Sequence, residues 1–153
     1  IKGGYYCTGD AGFIDSEGFI KITGRIKDTF KTAKGEFITP SAIESLLAKN
    51  ADIEQVCVAG LGLPQPIALV VLSEFSRKKS REDVTKGLEI SLDNVNRTLK
   101  SHEILNALIV VSDEWTPENG YMTPTLKMKR HVISNNYGEL MAQYKDTKAV
   151  VWQ

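Results

Sequence analysis

The residues best suited to chemistry lie in a basic segment near the carboxyl end of the chain, residues 122–130. It reads Met-Thr-Pro-Thr-Leu-Lys-Met-Lys-Arg and follows a turn-forming stretch at 116–120. Because proline fixes its own φ and restricts the residue before it, Thr123-Pro124-Thr125 predicts an extended loop facing solvent. We therefore expect Lys127 to project from a loop instead of being buried on a helix face. Our interpretation is that it is a mobile cation delivered to a phosphate-bearing site that lies mostly outside this chain.

Two further phrases carry candidate ligand-binding residues. The first is Tyr6-Cys7-Thr8-Gly9-Asp10, and the second runs from Gly24 to Gly35. Cations outnumber acids around the second phrase. The acids are Asp28 and Glu36, and the cations are Lys21, Arg25, Lys27, Lys31 and Lys34. This local positive patch predicts an anionic ligand, although an ordinary solvated polar face explains it equally well.

Other chemistries find little support in the sequence. The histidines, His102 and His131, have no Cys or His partner at metal-ligand spacing, so no metal site is predicted. There is no Gly-x-Ser-x-Gly elbow for a serine nucleophile. Lys34-Gly35 lacks the flanking residues of a Walker phosphate loop.

Composition indicates a globular protein. The chain has 153 residues, 42% of them hydrophobic, and a formal net charge of zero, which does not suggest wholesale binding to nucleic acid or to anionic membrane. Cys7 and Cys57 are expected to be small buried hydrophobes in a reducing compartment, such as the cytoplasm. The chain starts at Ile1 instead of Met, and we expect a fragment of a longer protein.

The apolar pattern predicts an α+β fold. We expect a small antiparallel sheet of about three strands, with helices packed on it and β-hairpins before it. The hairpins turn at 15–18 and at Lys34-Gly35, the strands lie at 56–59, 67–72 and 107–111, and the helices lie at 39–50, 80–99 and from 129 onward. The tail after Asp146 is expected to fray.

Together, the three phrases resemble the adenylate-forming superfamily, and their order and spacing carry more weight than any one of them. The segments at 35–40 and 123–130 look most like long-chain fatty acid–CoA ligases. The resemblance implies that residues 1–25 end a large N-terminal domain and that residues 26–153 form the small C-terminal cap domain. It implies an ATP-dependent acid–CoA ligase that forms acyl-AMP and then acyl-CoA.

The resemblance also implies roles for single residues. Asp10 and Arg25 match positions that contact the ATP ribose, and Lys27 matches the hinge. Lys127 matches the lysine needed for adenylation, flanked by surface charge at Lys129 and Arg130. In the thioester step, the resemblance implies that Lys31 and Gly35 face coenzyme A. This sequence differs from the family pattern at two positions. Leu126 stands where many relatives carry glycine, and Phe37 stands where some relatives carry a polar residue.

The implied cofactors are ATP, coenzyme A and Mg²⁺, held mainly by the N-terminal domain in cis. Partners are expected to be small molecules, including a fatty acid, with no nucleic acid and no transmembrane segment. The cytoplasm, free or peripherally at a membrane, is the expected location. Two alternatives stay open. One is a non-catalytic α+β interaction module, and the other is an adenylation domain acting on a carrier protein.

Overall fold

The first part of the fold is a β-hairpin. The computed structural model describes residues 3–153, so Ile1 and Lys2 of the predicted 1–25 unit lie outside the described residues. Strands β1 (Asp10–Ile14) and β2 (Ile20–Arg25) pair antiparallel. Asp15 closes the turn because its Oδ1 accepts from the backbone N–H groups of Glu17 and Phe19, at 3.0 and 2.9 Å.

A 3₁₀ turn at Ile26–Asp28 leads from this hairpin to a second one. Strands β3 (Phe30–Lys31) and β4 (Phe37–Ile38) pair antiparallel around the turn at Lys34-Gly35. Gly35 has φ +82°, a left-handed conformation that costs glycine little. Both predicted hairpins are therefore confirmed.

The main sheet differs from the prediction in strand number and direction. It has four strands, β5 (Ile53–Ala59), β6 (Ile67–Leu72), β7 (Ala107–Val110) and β8 (Val150–Trp152), ordered β5-β6-β7-β8. The β5–β6 pair is antiparallel, as predicted, but β6–β7 and β7–β8 are parallel. A helical crossover between β6 and β7 returns the chain in the same direction, which a purely antiparallel sheet does not allow.

The four helices follow the predicted segments with adjusted ends. They are α1 (Pro40–Leu47), α2 (Arg81–Asn96), α3 (Arg130–Asn136) and α4 (Gly138–Gln143). The predicted cap of α2 is confirmed, since Ser80 Oγ accepts from the Asp83 N–H at 3.1 Å. The predicted final helix is broken at Tyr137, and the tail beyond it pairs as β8 instead of fraying.

Apolar side chains cover both faces of the main sheet. Helices α1 and α2 pack on one face through residues that include Ile43, Leu47, Leu88 and Leu92. Helices α3 and α4 pack on the other face through Ile133, Tyr137 and Met141. The sheet is thus the middle of three layers, and the α+β fold class is confirmed.

The first hairpin leaves its apolar residues in contact with solvent. The exposed side chains are Phe13 (54%), Ile14 (69%), Phe19 (65%), Ile20 (72%) and Ile22 (65%). An isolated two-stranded hairpin is marginally stable in water, and exposed apolar groups of this size mark interaction surfaces.

Within residues 3–153, none of the helices combines the length and the hydropathy required to span a bilayer.

Candidate active site

The segment that bears Lys127 is a closed turn. Met122 and Met128 form an antiparallel bridge, the Thr123 N–H donates to the Lys127 carbonyl at 2.8 Å, and the Leu126 N–H donates to the Thr123 carbonyl at 2.9 Å. The predicted extended conformation is therefore wrong, because these backbone bonds fold the segment back on itself. The Lys127 side chain is exposed, as the sequence predicts.

Leu126 has a strained backbone. Its φ is +58°, and it is the only non-glycine residue among residues 3–153 with a positive φ. A side chain in the left-handed region meets the backbone, so glycine is favoured there. A glycine would adopt this conformation with less strain than the leucine that occupies the position.

Arg130 is not flanking surface charge, and the sequence prediction is wrong here. Its guanidinium forms a two-pronged pair with the Glu44 carboxylate of α1, including Nη2 to Oε2 at 2.9 Å. Nη1 also donates to the Val58 carbonyl at 3.1 Å, while Glu44 Oε1 accepts from the Val58 N–H at 2.7 Å. The start of α3 is therefore fastened to α1 and β5.

Burial alone would lower the pKa of Arg130, but the hydrogen bonds and charge of Glu44 outweigh it and raise that pKa. The signal that sequence reasoning missed is Glu44 itself. It lies between Ile43 and Leu47 on the buried side of α1, and an acid at such a position requires a buried partner.

The two cysteines differ. Cys57 is buried, and burial raises the pKa of its thiol to about 12, so this thiol is neutral and unreactive. Cys7 is exposed, and the prediction that it is buried is wrong. It precedes the first hairpin, where the apolar neighbours in sequence do not form a core.

A cleft of about 680 Å³ contains Lys127 and Arg25. Asp28, Glu44, Glu54 and Arg130 also line it. Arg25 lies opposite Asp10 in the β1–β2 pair, and its Nε is 3.4 Å from Asp10 Oδ1. The structure therefore brings Asp10 and Arg25 together and places Lys127 and Arg25 on one cleft.

A second cleft of about 670 Å³ contains the predicted residues Lys27 and Lys31, while the predicted Gly35 does not line it. Lys129 and Arg130 add to its positive charge, and His131 also lines it. The Lys31 ammonium lies 4.9 Å from the centre of the Phe37 ring. Lys127 does not line this cleft, so Lys127 and Lys31 open onto two surfaces that share Asp28, Met128 and Arg130.

The predicted hinge residue lies in a short turn that is bounded on each side by a residue with an extended backbone. Lys27 is in the 3₁₀ turn, flanked by Arg25 (φ −102°, ψ 137°) and Thr29 (φ −69°, ψ 133°). The first hairpin approaches α1 closely just before it, where a Cβ on Gly24 would lie 2.8 Å from Thr39 Cγ2. Glycine at this position permits that close approach.

Among residues 3–153, no group of three or more His, Cys, Asp or Glu side chains is arranged to hold a metal ion. The acids along the Lys127 cleft are separated, and Glu44 is already paired with Arg130. These residues do not fit a Mg²⁺ site.

Comparison with known proteins places the chain in a family. Residues 27–148 match the AMP-binding enzyme C-terminal domain. A palmitoyl-CoA ligase of Gibberella moniliformis is 33% identical over 88% of this chain and 22% of its own length. Long-chain-fatty-acid–CoA ligase 5 of Rattus norvegicus is 34% identical over 84% of this chain and 22% of its own length.

A solved structure is also similar. The A-PCP didomain of carboxylic acid reductase from Segniliparus rugosus, in complex with AMP, superposes with a TM-score of 0.75 at 28% identity, covering 94% of this chain and 21% of that one. The chain belongs to the AMP-binding enzyme C-terminal domain family. It spans about a quarter of the length of the curated relatives it matches.

Proposed function

We propose that this chain is the C-terminal part of an ATP-dependent acid–CoA ligase that acts on a long-chain fatty acid. The acid and ATP give acyl-AMP and pyrophosphate, and acyl-AMP and coenzyme A then give acyl-CoA and AMP. The observation that carries the proposal is an exposed Lys127, on a closed turn, facing the same cleft as Arg25.

In the first step, a carboxylate oxygen attacks the α-phosphate of ATP and the bond to pyrophosphate breaks. Negative charge moves onto the attacked phosphoryl and leaving-group oxygens as this happens. The Lys127 ammonium stabilises that charge more strongly in the transition state than in bound ATP, which lowers the barrier. Asp10 accepts hydrogen bonds from the ribose hydroxyls, and Arg25 contacts the same sugar and orients the Asp10 carboxylate.

The proposed boundary between the domains lies at residue 25. Residues up to 25 belong to a large N-terminal domain, and residues 26–153 form the cap. The exposed apolar side chains of the first hairpin support this division, because a larger sheet or core would cover Phe13, Ile14 and Ile20.

In the second step the cap rotates about Lys27. The 3₁₀ turn there is short and exposed, so a change of its backbone angles does not disturb the core. Rotation withdraws Lys127 and presents the hairpin that contains Lys31 and Gly35. The absence of a side chain at Gly35 leaves room for the thin pantetheine arm, and Lys31 attracts the phosphates of coenzyme A.

ATP, the acyl chain and Mg²⁺ are held mainly by the large domain, which is the partner in cis. The two free thiols, Cys7 and Cys57, fit a reducing compartment such as the cytoplasm. A fatty acid substrate also favours peripheral contact with membranes.

Replacing Lys127 by alanine in the full-length ligase tests the proposal. Loss of the ammonium is expected to reduce acyl-AMP formation by about a hundredfold or more, the size typical of a lost electrostatic stabiliser. The reaction of supplied acyl-AMP with coenzyme A is expected to continue. Pyrophosphate release and thioester formation measure the two steps separately.

The matched control is Lys86→Ala, which removes an exposed lysine paired with Glu82 on α2. It is expected to leave both steps unchanged. Wild-type pyrophosphate release by Lys127→Ala would contradict the proposal and favour a non-catalytic interaction module.

A second candidate is an adenylation domain that transfers the acyl group to a carrier protein. The observation in its favour is the similarity to the A-PCP didomain of a carboxylic acid reductase. The acceptor distinguishes the two candidates. Acyl transfer to a phosphopantetheinylated carrier protein, with no transfer to free coenzyme A, would support this second candidate.

A further inference from the structure

The turn that bears Lys127 is closed by a side chain as well as by the backbone. The Thr123 Oγ1 atom accepts from the Lys127 backbone N–H at 3.0 Å. The Thr123 N–H donates back to the Lys127 carbonyl at 2.8 Å, and the Thr123 carbonyl accepts from the Leu126 N–H at 2.9 Å. One threonine therefore holds both polar backbone groups of Lys127.

The hydroxyl of Thr123 is also part of a small chain of hydrogen bonds. It lies 3.0 Å from the Thr125 hydroxyl. A threonine hydroxyl accepts with its lone pairs and donates its single proton, so Thr123 can accept from Lys127 while it donates to Thr125. Valine has nearly the same shape but makes neither bond.

Leu126 shows that the closed turn does not form without cost. Its φ of +58° is strained for a leucine, and such conformations persist only where the surroundings impose them. The Leu126 side chain is 68% exposed, so core packing does not impose it. The hydrogen bonds of Thr123 on either side of Leu126 are the contacts that hold this conformation.

The ends of the turn are anchored too. The Lys129 N–H donates to the Tyr121 carbonyl at 2.8 Å, and Arg130 is fixed to Glu44. These contacts hold the two ends of the turn, and Thr123 holds its middle. Together they restrict motion of the Lys127 backbone relative to the rest of the domain.

We infer that Thr123 is a positioning residue for adenylation, whose hydroxyl holds the Lys127 turn in the conformation that delivers the ammonium to ATP. The inference rests on the proposed function, since it assigns Thr123 a part in the step that Lys127 is proposed to catalyse. A preformed turn avoids the loss of conformational freedom that a loose loop would suffer in the transition state.

The test compares Thr123→Val with Thr123→Ser in the full-length ligase. Loss of one hydrogen bond that holds the reacting group is expected to lower kcat for acyl-AMP formation about five- to tenfold. The KM for ATP and the reaction of supplied acyl-AMP with coenzyme A are expected to stay near wild type. Serine keeps the hydroxyl and is expected to restore most of kcat.

Thr98→Val is the matched control, because it removes a threonine hydroxyl that donates to the Val95 carbonyl at the end of α2, at 2.8 Å, away from the Lys127 turn. It is expected to change kcat by less than about twofold, which is below the effect of one lost hydrogen bond. Faster hydrogen exchange at the Lys127 amide in Thr123→Val, with the α2 amides unchanged, would show that the turn alone has loosened.

Wild-type kcat in Thr123→Val, or failure of Thr123→Ser to restore the rate, would overturn the inference. These results are distinguishable from failure of the proposed function. If Lys127→Ala abolishes adenylation and Thr123→Val does not slow it, only the role of Thr123 is wrong. If Lys127→Ala has no effect, the proposed function itself is wrong.

Discussion

Arg130 and Glu44 show how single residues connect the core to the Lys127 segment. The pair crosses from α3 to α1, and their side chains are 16% and 11% exposed. Removing one member of a buried pair leaves a charge without a partner, which costs more than the pair itself contributes. The pair is therefore a contact on which the placement of the whole turn depends.

We expect Arg130→Ala to lower the free energy of unfolding by about 3 kcal/mol, because Glu44 then lacks its cation. Replacing both residues, as in Glu44→Gln with Arg130→Met, is expected to recover most of that loss. Denaturant unfolding measures both variants, with Lys129→Ala as the neighbouring control. A loss below about 1 kcal/mol in Arg130→Ala, the range of surface pairs, would contradict this account.

Arg130 also illustrates what single-residue reasoning from the sequence omits. A run of Lys-Met-Lys-Arg predicts surface charge, and Lys127 is exposed as that reasoning requires. The partner of Arg130 is 86 positions away in the chain, so no local pattern joins them. The roles of Asp10, Arg25, Lys27, Lys31, Gly35 and Lys127 stay predictions from the family resemblance.

At the level of elements, Asp52, directly before β5, connects that strand to the 3₁₀ turn at Ser76–Lys78 and to Lys79 after it. Its Oδ1 accepts from Ser76 Oγ at 2.5 Å and from Lys79 Nζ at 2.6 Å. The hydrogen bonds from Lys79 and Ser76 hold the pKa of this carboxyl below its ordinary value of 3.8. Its other oxygen would lie 3.3 Å from a Cβ on Gly87, so a larger residue there crowds Asp52.

We expect Asp52→Asn to lower the free energy of unfolding at pH 7 by roughly 1–2 kcal/mol, because two bonds to a carboxylate become bonds to an amide. A carboxyl whose pKa falls on folding stabilises the protein above its unfolded pKa, and this contribution disappears as pH falls toward the folded pKa. The gap between wild type and variant should therefore shrink below pH 3.8.

Unfolding curves measured across that pH range check this expectation. Asp93→Asn, an exposed aspartate on α2, is the control and should show little difference at any pH. A gap between Asp52→Asn and wild type that persists unchanged at low pH would contradict the assignment of the effect to charge.

Helices and turns were predictable from the sequence where the residues that determine them are close together in the chain. The Ser80 cap, the glycine turn at Gly35 and the stripe that contains Ile133 and Met141 each follow from spacing or turn chemistry. The strand at Val150–Trp152 was missed because three apolar residues after a polar tail do not predict pairing with β7. Strand direction depends on the crossover helix, which a strand's own sequence does not record.

At the scale of the whole molecule, the two clefts divide the proposed reaction. Lys127 and Arg25 open onto one, and Lys31 with Lys27 opens onto the other. Asp28, Met128 and Arg130 line both clefts, and Arg130 is the one of these that is paired with Glu44. In the proposed mechanism, the cap presents first one surface and then the other, so residues far apart in the chain would serve consecutive steps.

The most direct test of this account measures both half-reactions in two variants of the full-length ligase. Lys127→Ala is expected to lose pyrophosphate release while it still converts supplied acyl-AMP to acyl-CoA. Gly35→Asn places a side chain on the proposed pantetheine path. Asparagine tolerates φ +82°, and the variant is expected to show the reverse pattern. If both variants impair the same half-reaction, or neither impairs any, the division of the two steps between two surfaces of one cap is contradicted.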